Sequence, residues 1–302
     1  MAETFGVVAG IVGLAGAFSG CVDCFEYIQL GRRFAQDYGA CQLKLDILSL
    51  RLSRWGLAVG LSDNSNENGR VQPKVTATEQ ELQRLADVLE ELYEDLREAS
   101  KKSERFRTKT ERNATTENSN QCLQVLDPEK ELRNDYRLLH VSTTNIVARR
   151  KRNDLKSGFW NNTKWALYEK KAFDHLVDNI TGHIDTLENV FPAVNEALAE
   201  TSKAELSGIT DDDDLKLLAI TAGDSDKTLV ETVKKTLAER GDTWTDFNIS
   251  LEESGQVQVG HEFGAGMRPT AASSWSTFKI GGKGFTQVGH RFSGGGDMSS
   301  DI

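Results

Sequence analysis

The chain has 302 residues, of which 38% are hydrophobic and 27% charged, so it can bury a core but not over its whole length. The formal net charge of -10 argues against a nucleic-acid partner, because the phosphate term needs clustered Lys and Arg. No phosphate-binding loop, nucleophile elbow or zinc-protease motif occurs, so no enzymatic activity, metal or cofactor is expected.

The first informative stretch is residues 5–22, FGVVAGIVGLAGAFSGCV, which carries no charge and lies between Glu3 and Asp23. Met1-Ala2-Glu3 offers no basic start, so a signal peptide is not expected. As a helix the stretch would span roughly 27 Å, close to the hydrocarbon thickness. Gly6/Gly10 and Gly16/Gly20 are G-x-x-x-G pairs, and Ala9/Gly13 continues the small-residue spacing. Such faces let helices approach closely in lipid. In water each helical glycine costs about 1 kcal/mol against alanine. Three readings stand: a buried first helix, a permanent anchor, or a segment sheltered at rest and inserted on activation. The flanking chain reads as soluble, which favours shelter over permanent insertion. The candidate inserting residues are Phe5, Gly6, Gly10, Gly13, Leu14, Gly16 and Gly20. Cys21 and Cys24, with Cys41 and Cys122, read as free thiols of a reducing compartment, since no second C-x-x-C follows.

Beyond Asp23 the pattern is helical and amphipathic. Cys41–Val59 places Leu43, Ile47, Leu50 and Leu57 inward, with Arg51 and Arg54 read as outward. Residues 61–73 are a loop. Thr78 and Glu81 form a capping box, opening a helix towards residue 107. Its apolar stripe is Leu82, Leu85, Val88, Leu89, Leu92, Tyr93 and Leu96. After a polar loop over 108–120, Asp127-Pro128 starts a helix carrying Leu132, Tyr136, Leu139 and Val147. The run Arg149–Arg152 reads as its solvated end. A long helix is expected from about Trp160 to Phe191, broken by Pro192. Asp211–Asp214 suit a helix N-terminus, with calcium binding as the sharper alternative. Lys227–Arg240 is a last helix, stopped by Gly241. The fold expected for residues 1–222 is therefore an all-α helical bundle, with 223–240 a helical boundary segment and 241–302 a tail.

The tail is written twice, over 244–264 and 275–292. Trp244, Phe247 and Ile249 recur as Trp275, Phe278 and Ile280. Gln258, Val259, Gly260, His261 and Phe263 recur as Gln287, Val288, Gly289, His290 and Phe292. A unit this short cannot bury a core alone, but it can stack on its copy. This predicts a tail, disordered in the soluble protein because Gly, Ser and polar residues dominate, that converts to a two-rung β-solenoid amyloid. The expected core is Phe247, Ile249, Val257, Val259, Gly260, His261 and Phe263, with Phe278, Ile280, Gln287, Val288, Gly289, His290 and Phe292. In this alignment Glu262 of the first copy meets Arg291 of the second, a stacked pair of opposite charge.

Several longer strings carry a resemblance. FGVVAG (5–10), CVDCFEYIQLGRRF (21–34), CQLKLDI (41–47), RLSRWG (51–56) and WALY (165–168) resemble the HeLo domain of the fungal HET-s/HET-S family. VQVGH (257–261) and TQVGHRFSGG (286–295) resemble that family's prion-forming repeats. The resemblance implies a cytoplasmic helical domain whose amyloid tail, once templated, releases the apolar N-terminus into the plasma membrane and kills the cell. The implied partners are the chain itself, an allelic family member, an NLR-type receptor with a matching motif, and a lipid membrane. A non-toxic prion allele with the same tail is the alternative. Gly260-His261 and Gly289-His290 stand where the family has Gly-Asn, so the ladder would be imidazole rather than amide, which bears on cross-seeding.

Overall fold

The computed structural model describes residues 14–62, 74–112, 123–151 and 164–241, and the backbone of strands within 243–292. The chain divides into two units, Met1–Val233 and Lys234–Ile302.

The first unit is helical. The described part of α1 covers residues 14–24. α2 (Tyr38–Val59) is the central helix and packs against α5 (Asn134–Arg150), α6 (Lys170–Val190), α7 (Asn195–Leu206) and α8 (Asp212–Ala222). It is buried on nearly every side, which is why its composition shows so little amphipathic contrast. Its end is set by Gly60, at φ 87, whose N–H returns to the Gly56 carbonyl. α3 (Glu79–Arg112) is opened by the expected capping box: the Thr78 N–H donates to Glu81 Oε2 at 2.7 Å, and the Glu81 N–H donates to Thr78 Oγ1 at 3.2 Å. Leu85, Val88, Leu89, Leu92 and Leu96 of its stripe are buried, and they face α6. Asp127 caps α4 (Pro128–Glu131), but the helix does not continue: Leu132 is extended, and α5 restarts at Asn134. Pro192 ends the long helix as expected, after Val190. Asp211 accepts from the Asp213 N–H to cap α8, and α9 (Lys227–Glu239) is followed by Gly241 at φ 87.

Three further readings are corrected. Trp165 and Leu167 do not belong to a helix. They form β2 (Trp165–Leu167), paired in parallel with β1 (Ile28–Leu30), with Ile28 opposite Trp165 and Leu30 opposite Leu167. β2 is buried on both faces, so its apolar run carries no alternation that would distinguish it from a helix. Arg51 and Arg54 are not outward; they are 5% and 0% exposed. Arg150 and Lys151 are not a solvated end, because both are held in ion pairs described below.

Among its described residues the second unit contains three parallel strand pairs. β3 (Thr243–Ser250) pairs with β6 (Ser274–Gly281), β4 (Gln256–Val259) with β7 (Phe285–Val288), and β5 (Glu262–Phe263) with β8 (Arg291–Phe292).

Candidate functional site: a cradled first helix and a ladder of repeats

α1 presents Leu14, Ala15, Phe18, Cys21, Val22 and Cys24 to the core, all buried. Spacings of three and four place them on one face. Gly20 is buried and Gly16 half-buried. A Cβ built at Gly16 meets no described atom within 4 Å, so packing against the described residues gives no reason for a glycine there. The Phe18 ring sits directly on Gly56 of α2, where a Cβ would collide with it. It also tilts against Trp55, with centroids 5.9 Å apart. Trp55 in turn donates its indole N–H to the Leu187 carbonyl of α6 at 3.1 Å. The Cys21 thiol donates to the Leu89 carbonyl at 3.4 Å. Burial, with the neighbouring Cys24, pushes the Cys21 thiol far up. Burial and the Asp23 charge push Cys24 up to about 12, against the pull of Lys151. The described thiols Cys21, Cys24 and Cys41 are free and buried.

Charge fastens the same helix from outside. Lys151 Nζ lies 2.9 Å from Asp23 Oδ1 and 2.6 Å from Glu26 Oε1. Its neighbour Arg150 lies 2.7 Å from Glu205 and donates to Ser53 Oγ at 3.2 Å. Glu205 also takes Arg54 at 2.7 Å, and Arg54 reaches Asp226 at 3.0 Å. Asp226 accepts the Leu229 N–H at 2.9 Å and so starts α9. Burial works against the Arg54 charge, but Asp226 and Glu205 outweigh it and hold the guanidinium protonated. Ion pairs thus run from the partly exposed Asp23 and Glu26 at the end of α1, across the adjacent residues Lys151 and Arg150, to the buried charges of α7, α2 and the first turn of α9. Arg51 forms a second clamp, to Glu188 at 2.5 Å, Asp185 at 2.6 Å and the Ser225 carbonyl at 2.8 Å. Sequence reasoning missed this line. Its one local signal is two arginines three apart among leucines and small hydroxyl residues, LSLRLSRW.

The repeats meet copy on copy. Trp244 faces Trp275, Phe247 faces Phe278 and Ile249 faces Ile280. Val257 faces Thr286, Gln258 faces Gln287 and Val259 faces Val288. Glu262 faces Arg291 and Phe263 faces Phe292. This is the register of the alignment, with its two-residue gap falling between β3 and β4. Gly260, His261, Gly289 and His290 lie outside the described residues, as do Phe5, Gly6, Gly10 and Gly13 of the candidate inserting segment. Among the described residues no helix is long and apolar enough to cross a membrane. Nor, among them, could any group of three His, Cys, Asp or Glu hold a metal ion.

With this geometry in hand, the comparisons are specific. Residues 6–218 match the HeLo family, described as prion-inhibition and propagation. Heterokaryon incompatibility protein s of Podospora anserina is 32% identical over 98% of this chain and 99% of its own length. Heterokaryon incompatibility protein S of the same species matches to the same extent. The solved structure of the HET-s N-terminal domain superposes with a TM-score of 0.63 at 30% identity, covering 76% of this chain and 98% of that one. A doubly substituted form of that domain gives a TM-score of 0.61.

Proposed function

We propose a function from one premise, that the chain belongs to the HeLo family: it is a heterokaryon-incompatibility and cell-death effector, switched on by amyloid conversion of its own tail. The observation that carries this reading is the register of the repeats. Trp meets Trp, Phe meets Phe, Ile meets Ile and Val meets Val along parallel strands. Parallel, in-register identity is the arrangement by which one chain templates the next. A chain that pairs its two copies this way presents the same ladder to further copies above and below. The partners that fit are the chain itself, an allelic family member, or an NLR-type receptor with a matching repeat.

The output side of the proposal is α1. Its apolar face is packed away, which suits a segment sheltered at rest. Gly16 adds a helix cost that packing against the described residues does not explain, and a close lipid-phase helix contact would use it. Conversion of the tail loads α9, which begins on the charged line leading back to Lys151 and α1. Loss of that line frees α1 and the apolar stretch before it to enter the plasma membrane. Until then α1 stays out of the bilayer, on its cytoplasmic side, and no step requires an enzyme, metal or cofactor.

The test uses fibres assembled from residues 241–302 as seeds. Seeds added to full-length protein with dye-loaded vesicles are expected to give fibre growth and dye release together. Leu14→Lys places a charge in the inserting stretch, at about 2.5–3.5 kcal/mol on insertion scales, and is expected to abolish release while fibres still grow. Fibre growth without release by the wild-type chain would instead make it the non-toxic propagating form of the family.

A further inference from the structure

α3 changes sign along its length. Residues 79–98 hold eight carboxylates against two cations, whereas residues 101–112 hold six cations against two carboxylates, in a chain whose net charge is -10. Within the basic stretch, Lys101, Arg105, Lys109 and Arg112 follow one another at spacings of four, four and three, and all are exposed. At 100° per residue they fall within an arc of about 80° and extend about 16 Å along the helix. The opposite face holds the helix to its domain: the Ser103 hydroxyl donates to the Ala166 carbonyl, and Phe106 stacks on Tyr168 at 5.5 Å. The two carboxylates of the stretch do not interrupt the stripe. Glu104 and Glu111 are gathered to its edge by Arg107, at 2.5 Å and 3.1 Å. None of the four stripe cations enters an ion pair among the described residues.

A helix C-terminus attracts cations through its dipole, but that attraction fades within the last turn. It accounts for Lys109 and Arg112, which lie there, and not for Lys101 and Arg105 two to three turns earlier. A straight row of exposed cations with no exposed aromatic among them lacks the stacking platforms of a nucleic-acid groove. It fits a planar polyanion, where each cation near the surface adds its own attraction.

We propose that this stripe docks the resting protein on membranes rich in anionic phospholipid, holding α1 near the bilayer before the tail converts. The inference rests on the membrane reading above and names the surface that reading requires. Docking by charge alone tolerates exchange of Lys for Arg and weakens as salt screens it.

The test compares the wild type with a variant carrying Lys101→Gln, Arg105→Gln, Lys109→Gln and Arg112→Gln, substitutions that keep helix propensity. Unseeded full-length protein is titrated with vesicles of phosphatidylcholine alone and of phosphatidylcholine with phosphatidylserine. The wild type is expected to prefer the anionic vesicles, and the variant to lose several hundredfold of that affinity, about fivefold per cation. Swapping Lys and Arg at the four positions is expected to restore it. Equal binding of the two vesicle types by the wild type, or undiminished binding by the Gln variant, overturns the proposal. So does tighter binding of the wild type to duplex DNA than to anionic vesicles. Seeded dye release separates the two levels. Release that is equal on neutral vesicles and in the Gln variant leaves the effector reading standing and removes the docking surface. Stripe-dependent docking with no release on seeding keeps the surface and removes the effector reading.

Discussion

Glu262 and Arg291 are register partners across the parallel pair of β5 and β8. Opposite charges thus occupy equivalent places in two copies that repeat most of their apolar positions. In stacked rungs about 4.8 Å apart, a column of like charge repels and alternation attracts. Glu262→Arg makes a positive column and Arg291→Glu a negative one. Each is expected to slow fibre growth severalfold, and the double exchange to recover most of the rate. High salt should shrink all three differences. Thioflavin growth curves at two ionic strengths check this. A double exchange as slow as the worse single variant would break the pairing.

Glu205 holds two cations deep in the fold, with its own side chain 1% exposed and that of Arg54 0%. Glu205→Gln leaves the Arg54 charge with Asp226 alone and takes the partner of Arg150. Removing one member of a buried ionic cluster costs about 3–5 kcal/mol, because the remaining charge is stranded. Urea denaturation should show a loss of that order, with faster seeded release. A loss below about 1 kcal/mol would mean that Arg54 reaches water in the resting state.

Gly56 is occupied from above by the Phe18 ring. Gly56→Ala adds a methyl where the ring lies, so α1 or α2 must shift, at about 1–3 kcal/mol of overpacking. Phe18→Ala instead leaves a hole beside Trp55, at about 3–5 kcal/mol. Both are expected to lower the melting temperature and shorten the lag of seeded dye release. Unchanged melting in both variants would place Phe18 elsewhere.

His140 Nδ1 lies 2.7 Å from Asp46 Oδ2 on the α2–α5 interface. Burial pulls the imidazole down, but the hydrogen bond and charge of Asp46 outweigh it and raise His140 above its ordinary value. Burial also raises Asp46, offset in part by His140 and Gln42. Both groups bind their protons more tightly folded than unfolded. Their stabilising share is therefore complete below the unfolded value and fades as pH rises through the folded one. For His140 that window opens above about 6.5. Stability should fall as pH rises above about 6.5, and His140→Asn should flatten this slope. A slope that survives the substitution belongs to another group.

What could be read from the sequence was local or repeated. The Thr78–Glu81 box lies within one turn, and the α3 stripe recurs at helical spacing over several turns. The register of the tail was legible because the chain states it twice. The β1–β2 pair was not legible, since its two three-residue strands lie far apart in sequence and Trp165 and Leu167 also fit a helix. Arg51 and Arg54 were misplaced for a similar reason. Nothing within a helix turn of them announces Glu188, Glu205 or Asp226, and a charged residue without a visible partner reads as solvent-facing. Lys151 was hidden in a basic run whose other members gave no hint that one of them reaches back to Asp23.

The central claim is that conversion of the tail uncovers α1, and the thiols of that helix report on it directly. Cys21 and Cys24 are buried, and Cys24 is pushed up to about 12. Such a thiol holds roughly a thousandfold less thiolate than an ordinary one at the same pH. Iodoacetamide labelling followed by peptide mass spectrometry, before and during seeding with fibres of residues 241–302, resolves each cysteine separately. The account predicts that Cys21 and Cys24 are protected at rest and become labelled at the rate at which fibres grow. Tails fully converted to fibre with both thiols still protected would contradict it.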